Sequence, residues 1–381
     1  MTTLAGARVV TPEGVLEPGW IRLAGDRIEA VGAGGPEGEG SDLGGGWVLP
    51  GFVDIHVHGG GGASFTEGGS DDARRAALFH REHGSTRIVA SLVTAPVDEL
   101  AGRCSMLADL ADEGVIDGIH LEGPFLSHAR CGAQDPRYLI DPDVGVFLRL
   151  HAAARGHLKQ ITIAPELPGA ADLIRAVVAV GVVAAAGHTD ATAEVTDAAI
   201  GDGVTHATHL FNGMRPLDHR QPGPAGALLA REVTCEAISD GTHLHDITIE
   251  LIARAAGAGN LVLITDAMAA AGMPDGGYHL GQQAVTVSGG VARLAEGTPG
   301  AGSIAGSTAT MAHVVHHAIT SARLPVTEVA AAASTTPARI VGLAGVTGAL
   351  RRGLAADLVL LNEDFTLRAV MSRGQWVTGQ I

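Results

Sequence analysis

Six short apolar stretches of this 381-residue sequence end in residues that bind metals or move protons. "GFVDIHVHG" carries His56 and His58. They sit two apart, so on a strand both point to one face. "GIHLEGP" gives His120 and Glu122, and "VVAAAGHTD" gives His188. "HATHLFNGM" gives His206, His209 and Asn212, "AISDGTHLH" gives Asp240, His243 and His245, and "LVLITDAMA" gives Asp266. One such residue at a strand end is ordinarily a cap or a turn residue. Six in succession make a site. Imidazole and carboxylate ligands suit Zn or Fe with one position left open for water. A divalent ion lowers the pKa of bound water toward about 7 and polarises a carbonyl. A separate carboxylate must then take a proton and return it to the leaving group. Asp266, alone at the end of its stretch, is the candidate. The set is suited to hydrolysing an amide, an ester or a related bond.

The elements that must position these residues follow from the same stretches. Apolar strands are expected at 51–58, 87–93, 118–123, 160–166, 182–188, 206–212, 234–240 and 261–266, with helices between most of them, among them 71–83, 98–111, 170–180 and 246–256. Eight strands with intervening helices predict an α/β fold, a (β/α)8 barrel of the TIM type, whose chemistry sits at the C-terminal ends of its strands. The stretch "YHLGQQAVTVSGGVARLAEG" breaks this rhythm with a hairpin near Ser288 to Gly290. The two ends of the chain read differently, as short strands between Gly and Pro turns. They are expected to pair into a small β-sandwich domain of residues 1–48 and 345–381, leaving 49–344 as the metal-dependent catalytic barrel.

Composition narrows the function classes. The chain is 46% hydrophobic and 17% charged with 54 glycines, which suits a large-cored enzyme and excludes a disordered chain. A formal net charge of −16 disfavours nucleic acid and anionic membrane surfaces as partners. It also means that an anionic substrate needs a local basic or amide-lined pocket. The three cysteines, Cys104, Cys131 and Cys235, form no disulfide pattern. With no leader-like or membrane-spanning segment, a reducing cytoplasm is the expected location. Cys131, in "LSHARCGAQDP", reads either as an inert loop thiol or as part of a mobile cover over substrate.

Together "PGFVDIHVHG", "HLEGPF", "GHTDA", "THLFNGM", "DGTHLH", "TDAM" and "AGSTATM", in this order over nearly the whole chain, resemble the N-acetylglucosamine-6-phosphate deacetylases of the amidohydrolase superfamily. The resemblance implies hydrolysis of the acetamide of N-acetylglucosamine 6-phosphate to glucosamine 6-phosphate and acetate, as in amino-sugar catabolism and cell-wall recycling. It implies one or two divalent ions per chain (Zn, Fe, or Co, Mn or Cd). Glu122, His188 and His209 match the principal metal ligands, His56 and His58 match a second-metal pair that some members keep, and Asp266 matches the general base and acid. Asn212, the backbone of Gly213 and His243 match groups around the sugar phosphate, and Ile304 matches a further substrate-binding residue. Arg220 matches a phosphate-binding arginine that relatives supply from the neighbouring subunit, so a homodimer is implied.

One position departs from the pattern. Relatives usually read Gly-Ala-His where this chain reads "GAQDP", with Gln134 in place of the histidine that bonds the substrate carbonyl. Three other readings stay open: a deacetylase of the galactosamine isomer, an amidohydrolase of the hydantoinase or dihydroorotase type, and a weakly active sugar-phosphate-binding homologue. The second needs a lysine at the end of strand four, where this chain reads "QITIAPE" with Lys159 ahead of it.

Overall fold

The computed structural model describes residues 2–36 and 38–379. Eight parallel strands form the barrel: β1 Phe52–Val57, β2 Ser85–Val93, β3 Gly118–Glu122, β4 Leu158–Ile163, β5 Val183–Ala186, β6 His206–Ala207, β7 Thr234–Ile238 and β8 Leu261–Ile264. Each strand hydrogen-bonds its sequence neighbour from β1 through to β8. The ring closes where β8 meets β1, through Asp266 N to His56 O at 2.9 Å and His58 N to Ala267 O at 2.7 Å. A helix follows each strand: α1 Ser70–Glu82, α2 Val97–Asp112, α3 Val144–Ala153, α4 Ala170–Ala179, α5 Ala193–Asp202, α6 Gly223–Leu229, α7 Asp246–Ala256 and α8 Met311–Thr320. Their apolar sides, such as Leu100, Cys104 and Leu107 of α2 and Leu173, Ile174 and Val177 of α4, are buried in one continuous core with the outward faces of the strands.

Between β8 and α8 stands a three-stranded antiparallel insert, Gly276–Leu280, Gln283–Ser288 and Val291–Leu294. Its second turn is the expected hairpin: Ser288 pairs with Val291, and Gly289 and Gly290 hold φ of +58° and +76°. Two successive positive φ values match the twist of the flanking strands, and glycine reaches them without steric cost.

The two chain ends do build one unit. The order Gln375–Thr378, Leu367–Ser372, Leu358–Leu361, Trp47–Pro50, Thr2–Thr11, Gly14–Ala24, Arg27–Ala33 forms a single hydrogen-bonded mixed sheet, with Ser41–Asp42 added beside Thr2–Thr11. The join is Trp47–Pro50 against Leu358–Leu361. Leu4, Val9, Ile21, Ile28, Leu358, Leu360 and Met371 share its core. Arg87 at the start of β2 ties this sheet to the barrel, donating to Asp357 at 2.9 Å and to Asp117 at 3.2 Å with all three groups nearly buried.

The inside of the barrel is unusually polar. Barrel interiors are ordinarily filled by branched apolar side chains. Here Asp54, Ser91, His120, Gln160, Thr162, His206, Thr208, Glu236 and Thr265 are buried together beneath the strand ends.

Candidate active site

Strand ends deliver the chemistry as expected, but most of the ordered strands stop short of it. Glu122 is the last residue of β3, whereas His188, His209 and Asp266 lie two residues beyond β5, β6 and β8. All three have positive φ, +46°, +23° and +49°. Non-glycine residues held there cost about 1–3 kcal/mol each and persist only where surrounding structure over-determines them. The strands expected to run through 188, 212 and 266 therefore end earlier, because the left-handed turn breaks the ladder and swings the side chain over the barrel mouth; the strand expected to reach 240 ends at Ile238.

The side chains converge on Glu122. Its Oε1 lies 3.0 Å from His188 Nε2, 2.8 Å from His209 Nε2 and 3.6 Å from His56 Nε2, and its Oε2 lies 3.2 Å from His58 Nε2. Asp266 Oδ1 completes the cluster at 3.2 Å from His58 Nε2 and 3.3 Å from His56 Nε2. Every one of these groups is buried. Two triads suited to a cation share Glu122: His56, His58 and Glu122, and Glu122, His188 and His209. The residues fit divalent ions. Nε2 of His56 and Nε2 of His58 face each other at 3.2 Å, both beside carboxylate oxygens. Ring nitrogens crowded round shared carboxylates are the ligand chemistry of Zn or Fe sites. His188 Nδ1 donates to the carbonyl of Arg130 at 2.9 Å, which leaves Nε2, facing Glu122 Oε1, as the nitrogen a cation would take. Gly213 makes room for that ring: its φ is +59°, and a Cβ there would stand 2.9 Å from His188 Nδ1.

Charge follows position. Burial pushes the Glu122 carboxyl up, but the facing imidazoles of His56 and His188, with the hydrogen bonds from His188 and His209, hold it well below the usual carboxylate range. Burial likewise raises Asp266, and His56 and His58 outweigh it, so this carboxyl also stays below its ordinary value. Burial lowers His58, yet its bonds to Asp266 and Glu122 carry it up to about 9. A cation that displaces such protons is favoured by the same two carboxylates.

Above the cluster opens a cavity of about 320 Å³. Gln134, Asn212, Gly213, His243 and Ile304 all line it, with His58, Glu122, His188, His209 and Asp266 at its floor. His243 Nδ1 bonds Asp240 Oδ2 at 2.8 Å. Burial lowers the imidazole, and that carboxylate more than restores it, so the ring is held above its usual value. Gln134 is engaged on both sides: its Oε1 accepts from Thr94 N at 2.7 Å, and its Nε2 donates to Glu122 Oε2 at 2.7 Å. Arg220 is not brought to the cavity of its own chain. It stands exposed on the turn Asp218 to Gln221, its backbone N–H on Asp218 Oδ1 at 3.0 Å. No arginine or lysine is among the residues that line the cavity. Cys131 is half-buried, and burial pushes its thiol up, which favours the inert reading.

Other residues take supporting places. His120 sits between Ser91 Oγ at 3.0 Å and Thr162 Oγ1 at 2.9 Å, stacked edge-on against His56. His245 caps α7, accepting from Ile247 N at 3.2 Å, and His313 reaches the carbonyl of Asp240 at 3.3 Å. Lys159 is the second residue of β4, at the opposite end from the chemistry, so the lysine-bridged arrangement of the hydantoinase reading has no lysine to build it. The residue that motif reading overlooked is Glu236, buried in β7 between His56 and His206.

Residues 47–377 match the amidohydrolase family. The chain is 33% identical over 365 residues to an N-acetylglucosamine-6-phosphate deacetylase of Lysinibacillus sphaericus, covering 94% of this chain and 92% of that relative. It is 32% identical over 386 residues to an N-acetylgalactosamine-6-phosphate deacetylase of Escherichia coli O157:H7, covering 99% and 98%. Among solved structures, the N-acetyl-D-glucosamine-6-phosphate deacetylase of Mycobacterium smegmatis aligns at 46% identity and a TM-score of 0.95 over 99% of this chain and 100% of that one. A variant of the same enzyme, with one aspartate changed to alanine and N-acetyl-D-glucosamine 6-phosphate bound, aligns at 47% identity, 99% coverage of both chains and the same TM-score.

Proposed function

The chain belongs to the amidohydrolase family, and from that premise we propose that it is an N-acetylglucosamine-6-phosphate deacetylase, releasing acetate and glucosamine 6-phosphate. The observation that carries the reading is the paired triad on Glu122 with Asp266 beside it, at the floor of a cavity of ligand size. Two divalent ions per chain, when bound by these triads, supply Lewis acidity for the acetamide carbonyl and an activated water.

The chain's own groups then do the following. Asp266, kept ionised by its imidazole neighbours, takes the proton of the attacking water and passes it to the amine as the C–N bond breaks. His243, oriented by Asp240, donates from the opposite side of its ring to the sugar phosphate. Asn212 and the backbone of Gly213 contact the same end, and Ile304 supplies an apolar wall. One amide hydrogen of Gln134 serves Glu122, and the second is available to the acetamide oxygen.

The test is deacetylation of N-acetylglucosamine 6-phosphate and of its galactosamine isomer by zinc-loaded protein. Faster turnover of the glucosamine isomer is expected. Preference for the other isomer would move the chain to the second deacetylase class, and turnover of neither would leave a binding homologue. A phosphate dianion finds no arginine or lysine in the lining of its own chain, which supports a homodimer in which Arg220 reaches the neighbouring cavity. In the same assay Arg220→Ala should raise KM about tenfold or more, the worth of one charged hydrogen bond, with kcat changed less. A fully active monomer in sedimentation would refute the shared site.

Gln134→His restores a group that can carry positive charge. It is expected to raise turnover at least about tenfold, roughly 1.4 kcal/mol of barrier. A loss of turnover would instead give Gln134 to the support of Glu122.

A further inference from the structure

Glu236 lies in the middle of β7, fully buried, one layer below the metal triads. No ligand atom of either triad comes from it. Its two oxygens are nevertheless spent on neighbours of the site. Oε2 accepts from His56 Nδ1 at 3.0 Å and from the backbone N–H of His209 at 2.9 Å. Oε1 meets His206 Nε2 at 2.9 Å and Gln160 Nε2 at 3.4 Å. The remaining nitrogen of His206 is held by Thr234 Oγ1 at 2.6 Å, and Gln160 Nε2 also reaches the carbonyl of Ile55 at 3.0 Å.

One oxygen atom therefore touches one residue from each triad. A carboxylate accepts only, so His56 must carry a proton on Nδ1, and Nε2 is the ring nitrogen left for a cation of the cluster. The bond to His209 N–H fixes a backbone held at φ +23°, outside the ordinary range for histidine. We propose that Glu236 is a positioning residue for both metal sites, setting the tautomer of His56 and the turn that aims His209. Outer partners of this kind fix ring orientation, and their loss typically lowers metal affinity about 10–100-fold. The inference rests on reading the cluster as a metal centre, not on the identity of the sugar.

The experiment has two arms. In the first, E236Q and H206Q are purified as full chains, checked for unchanged far-ultraviolet circular dichroism, and titrated with zinc against a competing chelator. E236Q is expected to bind zinc about tenfold or more weakly, because the amide is neutral and its NH2 must face either the His56 and His209 donors or Gln160. H206Q, which disturbs only the Oε1 side, should stay within about threefold of wild type. E236Q matching wild type, or H206Q falling as far as E236Q, would overturn the proposal. In the second arm, ring nitrogen-15 shifts of His56 are read in the zinc-loaded wild-type chain, so the inference is decided even where E236Q does not fold. A proton on Nδ1 with Nε2 on the metal is expected; zinc on Nδ1 overturns it. Wild-type protein that takes up no zinc would fail the metal reading itself, a different result from an unchanged E236Q.

Discussion

Asp266→Asn is expected to lower deacetylation by at least about a thousandfold while leaving fold and metal content as they are. General acid–base groups contribute about 10²–10⁴ in rate, and this carboxylate is asked to act twice in one turnover, as base and then as acid. Asparagine keeps the size and one oxygen but cannot hold a proton in transit. The change is structurally mild for two reasons. The bonds that place residue 266 come from the backbone, its N–H on His56 O at 2.9 Å and its carbonyl accepting from Ser307 N at 2.7 Å. Its φ of +49° also lies in the left-handed region that asparagine tolerates better than most residues. Asp266 is not a member of either triad, so the cations keep their ligands. The measurement is kcat together with ions per chain. A variant within tenfold of wild type would remove Asp266 from proton transfer, and one that also lost metal would make it a ligand instead.

The same site shows what a sequence can and cannot disclose. His56, His58, Glu122, His188, His209 and Asp266 were readable because each is a polar residue ending an apolar run, and the barrel gathers such ends at one mouth. The conformations that aim them were not. Positive φ at His188, His209 and Asp266 is accompanied by tertiary contacts such as Ser127 N on His188 O and Glu236 on His209 N, and none of the three positions is itself a glycine. For the same reason the strands ran too long in prospect, most of all β6, which is two residues rather than seven. Glu236 did leave a signal. In "TCEAISD" it shares parity with Asp240, and His120 shares parity with Glu122 as Asp54 does with His56. Period-two alternation places all of them on the inner face. A polar residue in mid-strand at ligand parity thus points to the layer that holds the ligands, although spacing alone does not say which ligand it holds. The terminal sheet was legible as strands, but its join depends on Trp47–Pro50 meeting Leu358–Leu361 across more than 300 residues, which no local pattern encodes.

Glu122→Gln should have the larger consequence, because one carboxylate serves both triads. Its two oxygens face four imidazoles, His56 and His58 from the end of β1 and His188 and His209 from the turns after β5 and β6, all buried. The glutamine amide keeps the volume but is neutral, and it directs an NH2 at one side or the other of the cluster. The His188 and His209 pair is then left with no carboxylate ligand, and the His56 and His58 pair with Asp266 alone beside it, in a buried setting where an under-compensated dication is costly. A graded series makes the point measurable. Two zinc ions per chain are expected in wild type, one in His56→Ala, which removes a ligand from a single triad, and none in Glu122→Gln. Without the ions the attacking water keeps its far higher bulk pKa instead of one of about 7, so turnover in Glu122→Gln should fall by at least about ten-thousandfold. Circular dichroism must show the variant folded for the count to be read. Wild type that never exceeds one ion in excess zinc would refute the two-metal site. A folded Glu122→Gln that retains one ion would show that the triads do not depend on a common carboxylate, with the retained pair of histidines identifying which site stands alone.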